Sequence, residues 1–264
     1  MSGRKEKQTE KTEEKKAAGG DSAEPRLVFQ LKNVTKNWSG EQGFELTVPE
    51  LSIRQAEKVA LVGFSGCGKS TLLDLLAMIL RPDRADEFAF FTVQDSRLDV
   101  AATWKRRNLD GLARARMQYI GYVLQTGGLL PFLSVYENIA LSCYGLGLPE
   151  QDAVNTVAEK LGIERHLPKF PSQLSVGERQ RVSIGRAMAH EPSVVIADEP
   201  TASLDPIHAE EIMGLFTGLA EEKGVTLVVA THEWDRVEEL GFRRIKFDLQ
   251  KDQAKGSVCA RVSG

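Results

Sequence analysis

The chain has 264 residues, 42% hydrophobic and 27% charged, with a formal net charge of −3. That is a globular composition with room for a substantial core, and its slight acidity gives no bulk electrostatic case for nucleic acid as a partner. Cys67, Cys143 and Cys259 match neither a disulfide framework nor a metal spacing, no apolar run approaches the ~20 residues of a membrane span, and no secretory signal opens the chain; a reducing cytoplasm is the expected location.

Residues 1–25 read as a tail. Met1 to Glu24 carry six Lys/Arg and six Asp/Glu and almost nothing apolar, so this stretch is expected to be disordered. Residues 26–264 form the folded domain. From Leu27 the pattern is β-rich: a loosely alternating run to Val34 and a cleanly alternating one from Phe44 to Val48 before Pro49, with a turn over Ser39–Gly43 between them. Trp38 stands at the loop end of the first strand, where an aromatic ring could stack on a base or pack the strand end.

Val59 to Val62 is a short apolar run fit for a buried strand, and Thr71 to Leu80 reads as a helix. Between them Gly63 to Ser70 spells glycine, four residues, then glycine-lysine-serine, the pattern of a phosphate-binding loop. Its glycines let backbone N–H groups turn onto a phosphate, Lys69 supplies a point charge, and the Ser70 hydroxyl is a Mg²⁺ ligand. Cys67, beside Lys69 and a helix N-terminus, is either a reactive thiolate or a buried, inert small residue.

Arg81 to Leu112 is hard to read, apart from a strand over Glu87–Val93 and a solvated basic cluster at Lys105–Arg107. Met117 to Gln125 looks like a buried strand. Ligands bind beyond the carboxyl ends of such strands, so Gln125 could reach a metal or water, or be satisfied by backbone. Val135–Tyr144, Asp152–Leu161 and Glu178–His190 have helical spacing. The last is preceded by Ser175-Val-Gly-Glu178, which is a capping box and also a way to aim a helix N-terminus at an anion.

Val194 to Ala197 is an apolar strand ending in Asp198-Glu199, a costly pair unless it acts at the strand tip. Successive residues of a strand point to opposite sides, which assigns Asp198 to a metal and Glu199 to an attacking water as general base. A helix over His208–Glu222 should cover the sheet with Ile212, Leu215, Phe216 and Leu219. A strand over Thr226–Ala230 leads to His232, either structural or near a γ-phosphate, and Arg243–Phe247 is a basic strand before a polar tail.

Together these residues resemble the nucleotide-binding subunit of ATP-binding cassette (ABC) transporters over about Leu27 to Leu249. Leu174 to Val182 is similar to the family signature, Gln125 to its Q-loop glutamine, Asp198-Glu199 to its Walker B pair, Ser203-Leu-Asp205 to its D-loop and His232 to its switch histidine. Trp38 takes the place of the base-stacking aromatic. Val176 and Glu178 depart from the signature's usual glycine and glutamine, and Arg81–Leu112 is longer than expected and lacks a glycine turn. Glu178-Arg-Gln-Arg-Val and Ala197-Asp-Glu-Pro-Thr look most like the lipoprotein-release and macrolide-export group.

The resemblance implies an α/β fold, a P-loop NTPase of ABC type with an antiparallel β subdomain and a helical subdomain at about 126–190. It implies ATP and Mg²⁺ as cofactors, with Trp38, Gly63, Ser65, Gly66, Cys67, Gly68, Lys69, Ser70 and Thr71 holding nucleotide. Ser175, Gly177 and Asp205 would join from a second subunit, so that two chains close on two ATP. Lys69, Gln125, Glu199 and His232 would be catalytic, and Ser70, Gln125 and Asp198 would hold the metal. Separate membrane permease subunits would dock on Leu130–Asn138, where Phe132, Leu133, Val135, Tyr136 and Ile139 form an apolar patch. This places the chain at the inner face of the cell membrane, with no nucleic acid partner. An ABC ATPase that acts on DNA or ribosomes would need a long coiled coil or a second cassette, and neither is found. A module that signals through a membrane partner without moving a solute is the alternative.

Overall fold

The computed structural model describes residues 26–38, 43–94, 96–252 and 257–264; the tail, and most of the turn expected over 39–43, lie outside the described residues. Ten strands form one sheet in the order β5-β4-β1-β2-β10-β9-β3-β8-β7-β6. Its centre is parallel. β3 (Lys58–Val62) lies between β8 (Thr226–Thr231) and β9 (Arg243–Asp252), while β7 (Val194–Asp198) joins β8 to β6 (Ile120–Val123).

Alternation along these strands feeds two cores. Val59, Leu61, Val194, Ile196, Val228 and Ala230 join one apolar cluster with α1 (Lys69–Leu76). Ala60, Val62, Val195, Ala197, Leu227 and Val229 join the other, with α4 (Val135–Leu146), α5 (Gln151–Lys160), α6 (Val176–Met188) and α7 (Pro206–Glu222). Parallel strands buried on both faces read as continuous apolar runs, which is why each was visible in the sequence.

The other strands form a mainly antiparallel wing. β1 (Leu27–Trp38) pairs with β2 (Phe44–Arg54) and β4 (Glu87–Phe91), and β4 with β5 (Arg97–Asp99). β2 continues through Pro49 rather than stopping before it. β10 (Ser257–Ser263) reaches only Phe44–Thr47 of β2, so the missing proline N–H costs no bond on that side. The polar tail expected after Phe247 is instead the β9–β10 hairpin, with β10 inserted between β2 and β9.

Several boundaries differ from the sequence reading: β4 stops at Phe91 rather than Val93, β6 at Val123 rather than Gln125, and α6 runs over Val176–Met188 rather than Glu178–His190. α1 ends at Leu76, because Met78 adopts φ +56 and the amides of Ile79 and Leu80 both return to the Asp74 carbonyl. Ala77 and Met78 are buried beyond the helix, so the apolar run outlasts it. Met117 to Tyr119 belong to α3 (Leu109–Tyr119), not to a strand. Asn108 caps that helix, accepting from the Gly111 amide at 3.0 Å, and Leu112 and Ala115 bury its inner face. With α2 (Val100–Lys105) this helix occupies the stretch that resisted reading, and Lys105–Arg107 are exposed as expected. α7 begins at Pro206, with Asp205 as its cap.

One close approach locks α6 to the sheet edge. A Cβ on Gly121 of β6 would lie 2.1 Å from the carbonyl oxygen of Ala187. Gly121→Ala must push helix from strand and should destabilise the fold by about 1–3 kcal/mol, read as a lowered thermal midpoint; an unchanged midpoint would show that α6 can shift freely.

Candidate functional site at the carboxyl edge of the parallel strands

Parallel strands bring their carboxyl ends to one edge, and the residues just beyond them converge there. Trp38, Phe44, Ser65, Gly66, Gly68, Lys69, Ser70, Thr71, Gln125, Asp198 and Glu199 line a single open cavity of about 330 Å³. β3 delivers the glycine loop, β6 delivers Gln125, and β7 delivers both acids.

The loop's shape follows from its glycines. Gly68 has φ +99, and a Cβ there would meet the Phe44 ring at 2.9 Å, so only glycine suits both the turn and the contact. The turn leads into α1, whose first amides have no intrahelical partner. Lys69 is nearly buried at 6% exposure, and its Nζ donates to the carbonyls of Gly63 at 2.8 Å and Phe64 at 3.2 Å. The Glu199 carboxylate lies 3.7 Å from the same ammonium.

Glu199 and Asp198 do not point to opposite sides of the strand. Glu199 has φ +45, a left-handed conformation that breaks the alternation and brings both carboxylates to the cavity. Its amide still donates to Ala230 O at 3.0 Å, so the strand partner holds the kink. An acid kept in this sparsely populated region is held by its surroundings.

Phe44 is the residue that sequence reasoning missed. It is the cross-strand partner of Trp38, so the two rings share one end of the wing beside the loop. The clean alternation of β2 pointed to a strand but not to the ring's place at this cavity. Lys36 lies over the Trp38 ring at 5.4 Å, and the ring remains half exposed.

Other expected residues lie elsewhere. Gly63 and Cys67 do not line the cavity. Cys67 is buried, and burial pushes its thiol up despite the nearby Lys69 charge, which favours the inert alternative. His232 is more than half exposed, with Nδ1 3.8 Å from Glu199 Oε2, too far for a hydrogen bond. Ser175 and Gly177 open α6 and do not line the cavity. Ser175 Oγ accepts from the Glu178 amide at 3.3 Å, and Glu178 Oε2 accepts from the Ser175 amide at 2.7 Å, completing the capping box. Asp205 accepts from the His208 amide, and a contact of 2.6 Å to His208 Nδ1 holds its carboxyl below the usual range.

The loop after Gln125 is tied to α6. Ser183 Oγ donates to Gly127 O at 2.9 Å, and Arg186 donates to Gly127 O at 2.9 Å and Gly128 O at 2.8 Å. In the apolar patch beyond it, Val135 and Ile139 are fully buried, while Phe132 is 72% exposed and Leu133 and Tyr136 are half-buried. The buried pair sits on the inward stripe of α4, which the helical period alone could not choose.

The burial of Cys67 has a direct readout. A maleimide should label it at less than about a tenth of the rate of the partly exposed Cys259 in the folded chain, since an apolar site disfavours the thiolate. Labelling of Cys67 as fast as Cys259 would contradict a closed loop.

The comparisons with known proteins agree with this geometry. Residues 46–202 match the protein family described as ABC transporter. The chain is 33% identical over 231 residues to the ABC transporter ATP-binding protein YtrE of Bacillus subtilis, covering 84% of this chain and 94% of that one. It is 37% identical over 218 residues to the lipoprotein-releasing system ATP-binding protein LolD of Idiomarina loihiensis, covering 81% and 91%. It spans 60% of the length of a longer relative, methionine import ATP-binding protein MetN 4 of Oceanobacillus iheyensis. Among solved structures, the dimeric post-hydrolysis ATP-binding cassette MJ0796 bound to ADP and Pi is similar at a TM-score of 0.70 and 32% identity, covering 88% of this chain and 96% of that one. A glycine loop, a strand-tip acid pair and a glutamine converging on one cavity, in a chain matched this widely, mean that the protein belongs to the ABC transporter family, as an ATP-binding and ATP-hydrolysing subunit.

Proposed function

We propose that two copies of this chain close around two MgATP and drive separate membrane permease subunits. The observation that carries this reading is the convergence of Lys69, Ser70, Gln125, Asp198 and Glu199 on one cavity, from which Ser175 and Gly177 are absent. One copy thus offers the phosphate loop and the acids, while its capped α6 N-terminus lies outside that cavity, available to a second copy. In Ser175 the hydroxyl oxygen is already an acceptor for the Glu178 amide, which leaves its proton for an anionic oxygen.

The donor set fits Mg²⁺. Ser70, Gln125 and Asp198 offer a hydroxyl, an amide oxygen and a carboxylate, all hard oxygen ligands suited to an ion shared with phosphates. When bound, the ion would neutralise charge building on the phosphates. Lys69 carries the remaining charge, and the loop amides cradle the phosphates. The Trp38 ring stacks on the base, beside Phe44. Glu199 takes the proton of the attacking water, and His232 steadies it once the site closes. Gly63 and Cys67 shape the loop, and Asp205 acts from the second copy.

Residues 126–190 form a helical subdomain that carries the dock for the permease. Phe132, Leu133 and Tyr136 receive it, which puts the chain at the inner face of the membrane; among the described residues no helix is long and apolar enough to cross one. The tie from Gly127 and Gly128 to Ser183 and Arg186 makes a shift at Gln125 felt along α6.

Two experiments test this. Glu199→Gln keeps the side chain's shape but not its basicity, so hydrolysis should fall by ~10²-fold or more while ATP yields a stable dimer in size-exclusion chromatography; turnover near the unsubstituted rate would remove Glu199 as the base. Phe132→Asp and Leu133→Asp should leave ATP binding by the isolated subunit intact and abolish co-purification with the permease. Variants that bind ATP and still co-purify would rule out this surface.

A further inference from the structure

His166 is buried at 3% exposure in a short 3₁₀ turn (Glu164–His166), an unusual setting for an imidazole. Its Nε2 lies 3.1 Å from Glu178 Oε1, the oxygen that the capping box leaves over, while Glu178 Oε2 accepts from the Ser175 amide. Its Nδ1 has no hydrogen-bond partner. The same Nε2 also lies 3.1 Å from Arg165 Nε, which can only donate.

One ring nitrogen cannot serve both neighbours in the neutral ring. With the proton on Nε2, the ring donates to a carboxylate, a charge-assisted bond, and exposed Arg165 turns to water. With the proton on Nδ1, a buried donor is left unpaired and a lone pair faces the carboxylate. The first arrangement therefore wins. The Ser175 amide, ahead of His166 and Lys169, holds Glu178 below the usual carboxylate range, so the acceptor stays charged.

His166 is itself a fixed point. Its amide donates to Ile163 O, and the next turn is bonded to the start of α4, with Tyr136 N donating to Leu167 O at 3.0 Å and Val135 N to Lys169 O at 2.8 Å. We infer that His166 is a positioning residue, which through Glu178 sets the Ser175 hydroxyl at the angle needed to meet the phosphate of a second copy's nucleotide. This rests on the two-copy site proposed above.

The test uses the full chain carrying Glu199→Gln, in which ATP-dependent dimers accumulate. His166→Leu should raise the ATP concentration for half-maximal dimer formation about fivefold, the scale of one typical net hydrogen bond. The affinity of the monomer for ADP, which the cavity of one copy sets without Ser175, should not change. His166→Gln, with a donor at the place of Nε2, should restore the parent value. In a Glu178→Gln background, where no charge needs a partner, His166→Leu should shift the curve less than twofold.

An equal curve for His166→Leu and its parent overturns the inference, as does a fivefold shift that His166→Gln leaves uncorrected or that ADP affinity shares. A parent that stays monomeric in saturating ATP instead overturns the two-copy site itself. Imidazole ¹⁵N shifts of the unsubstituted chain give an answer that does not depend on any variant folding: a proton on Nε2 is expected, and an Nε2 without a proton refutes the pair.

Discussion

The buried ammonium of Lys69 is the constraint on which the rest of the site depends. A charge at 6% exposure has to be met by fixed partners, and here they are two loop carbonyls and the Glu199 carboxylate. The carbonyls are available because the glycine loop turns back on itself. The carboxylate is available because Glu199 accepts a left-handed backbone at the end of β7. Phosphate arriving at this loop competes for the same charge, so nucleotide and the proposed base share one partner. That competition offers a physical route by which binding could release Glu199 toward water.

α6 is the element that joins this cavity to its surroundings. Its middle holds the carbonyls of Gly127 and Gly128 through Ser183 and Arg186, next to Gln125. Its N-terminus carries Ser175, and His166 braces that end against the segment bonded to α4. Burial lowers the affinity of Arg186 for its proton, although its guanidinium remains charged. The carbonyl bonds offset that desolvation only while the loop stays in place. A helix so gripped transmits displacement rather than absorbing it, because close-packed interiors resist compression.

Much of this was legible in the sequence for a simple reason. Strands buried on both faces, such as Val194–Ala197, leave unbroken apolar runs, and the chemistry sits at the first polar residue after each. The capping box at Ser175 was likewise written in four residues. What the sequence hid depended on three-dimensional context. The left-handed turn at Glu199 put two acids on one side where the pleat predicted two. Phe44 joined the cavity only because β2 pairs with β1 in a register that sets it against Trp38. The end of α1 at Leu76 was masked because the core continues past the helix. For Cys67 the sequence left a reactive thiolate and a buried, inert residue both open, because only the packed structure shows burial outweighing the nearby charge.

The central claim is that each working site takes its phosphate loop from one copy and its Ser175 from the other. Mixing two inactive chains tests it directly. A Lys69→Ala chain lacks the loop's charge but keeps α6, and a Ser175→Arg chain lacks the α6 contact but keeps the loop. In a mixed dimer one site is whole and the other doubly broken. The account predicts that ATP hydrolysis, negligible for either chain alone, reappears on mixing and peaks at equal amounts. A mixture no more active than the sum of its parts, although both chains are present in one dimer, would contradict it.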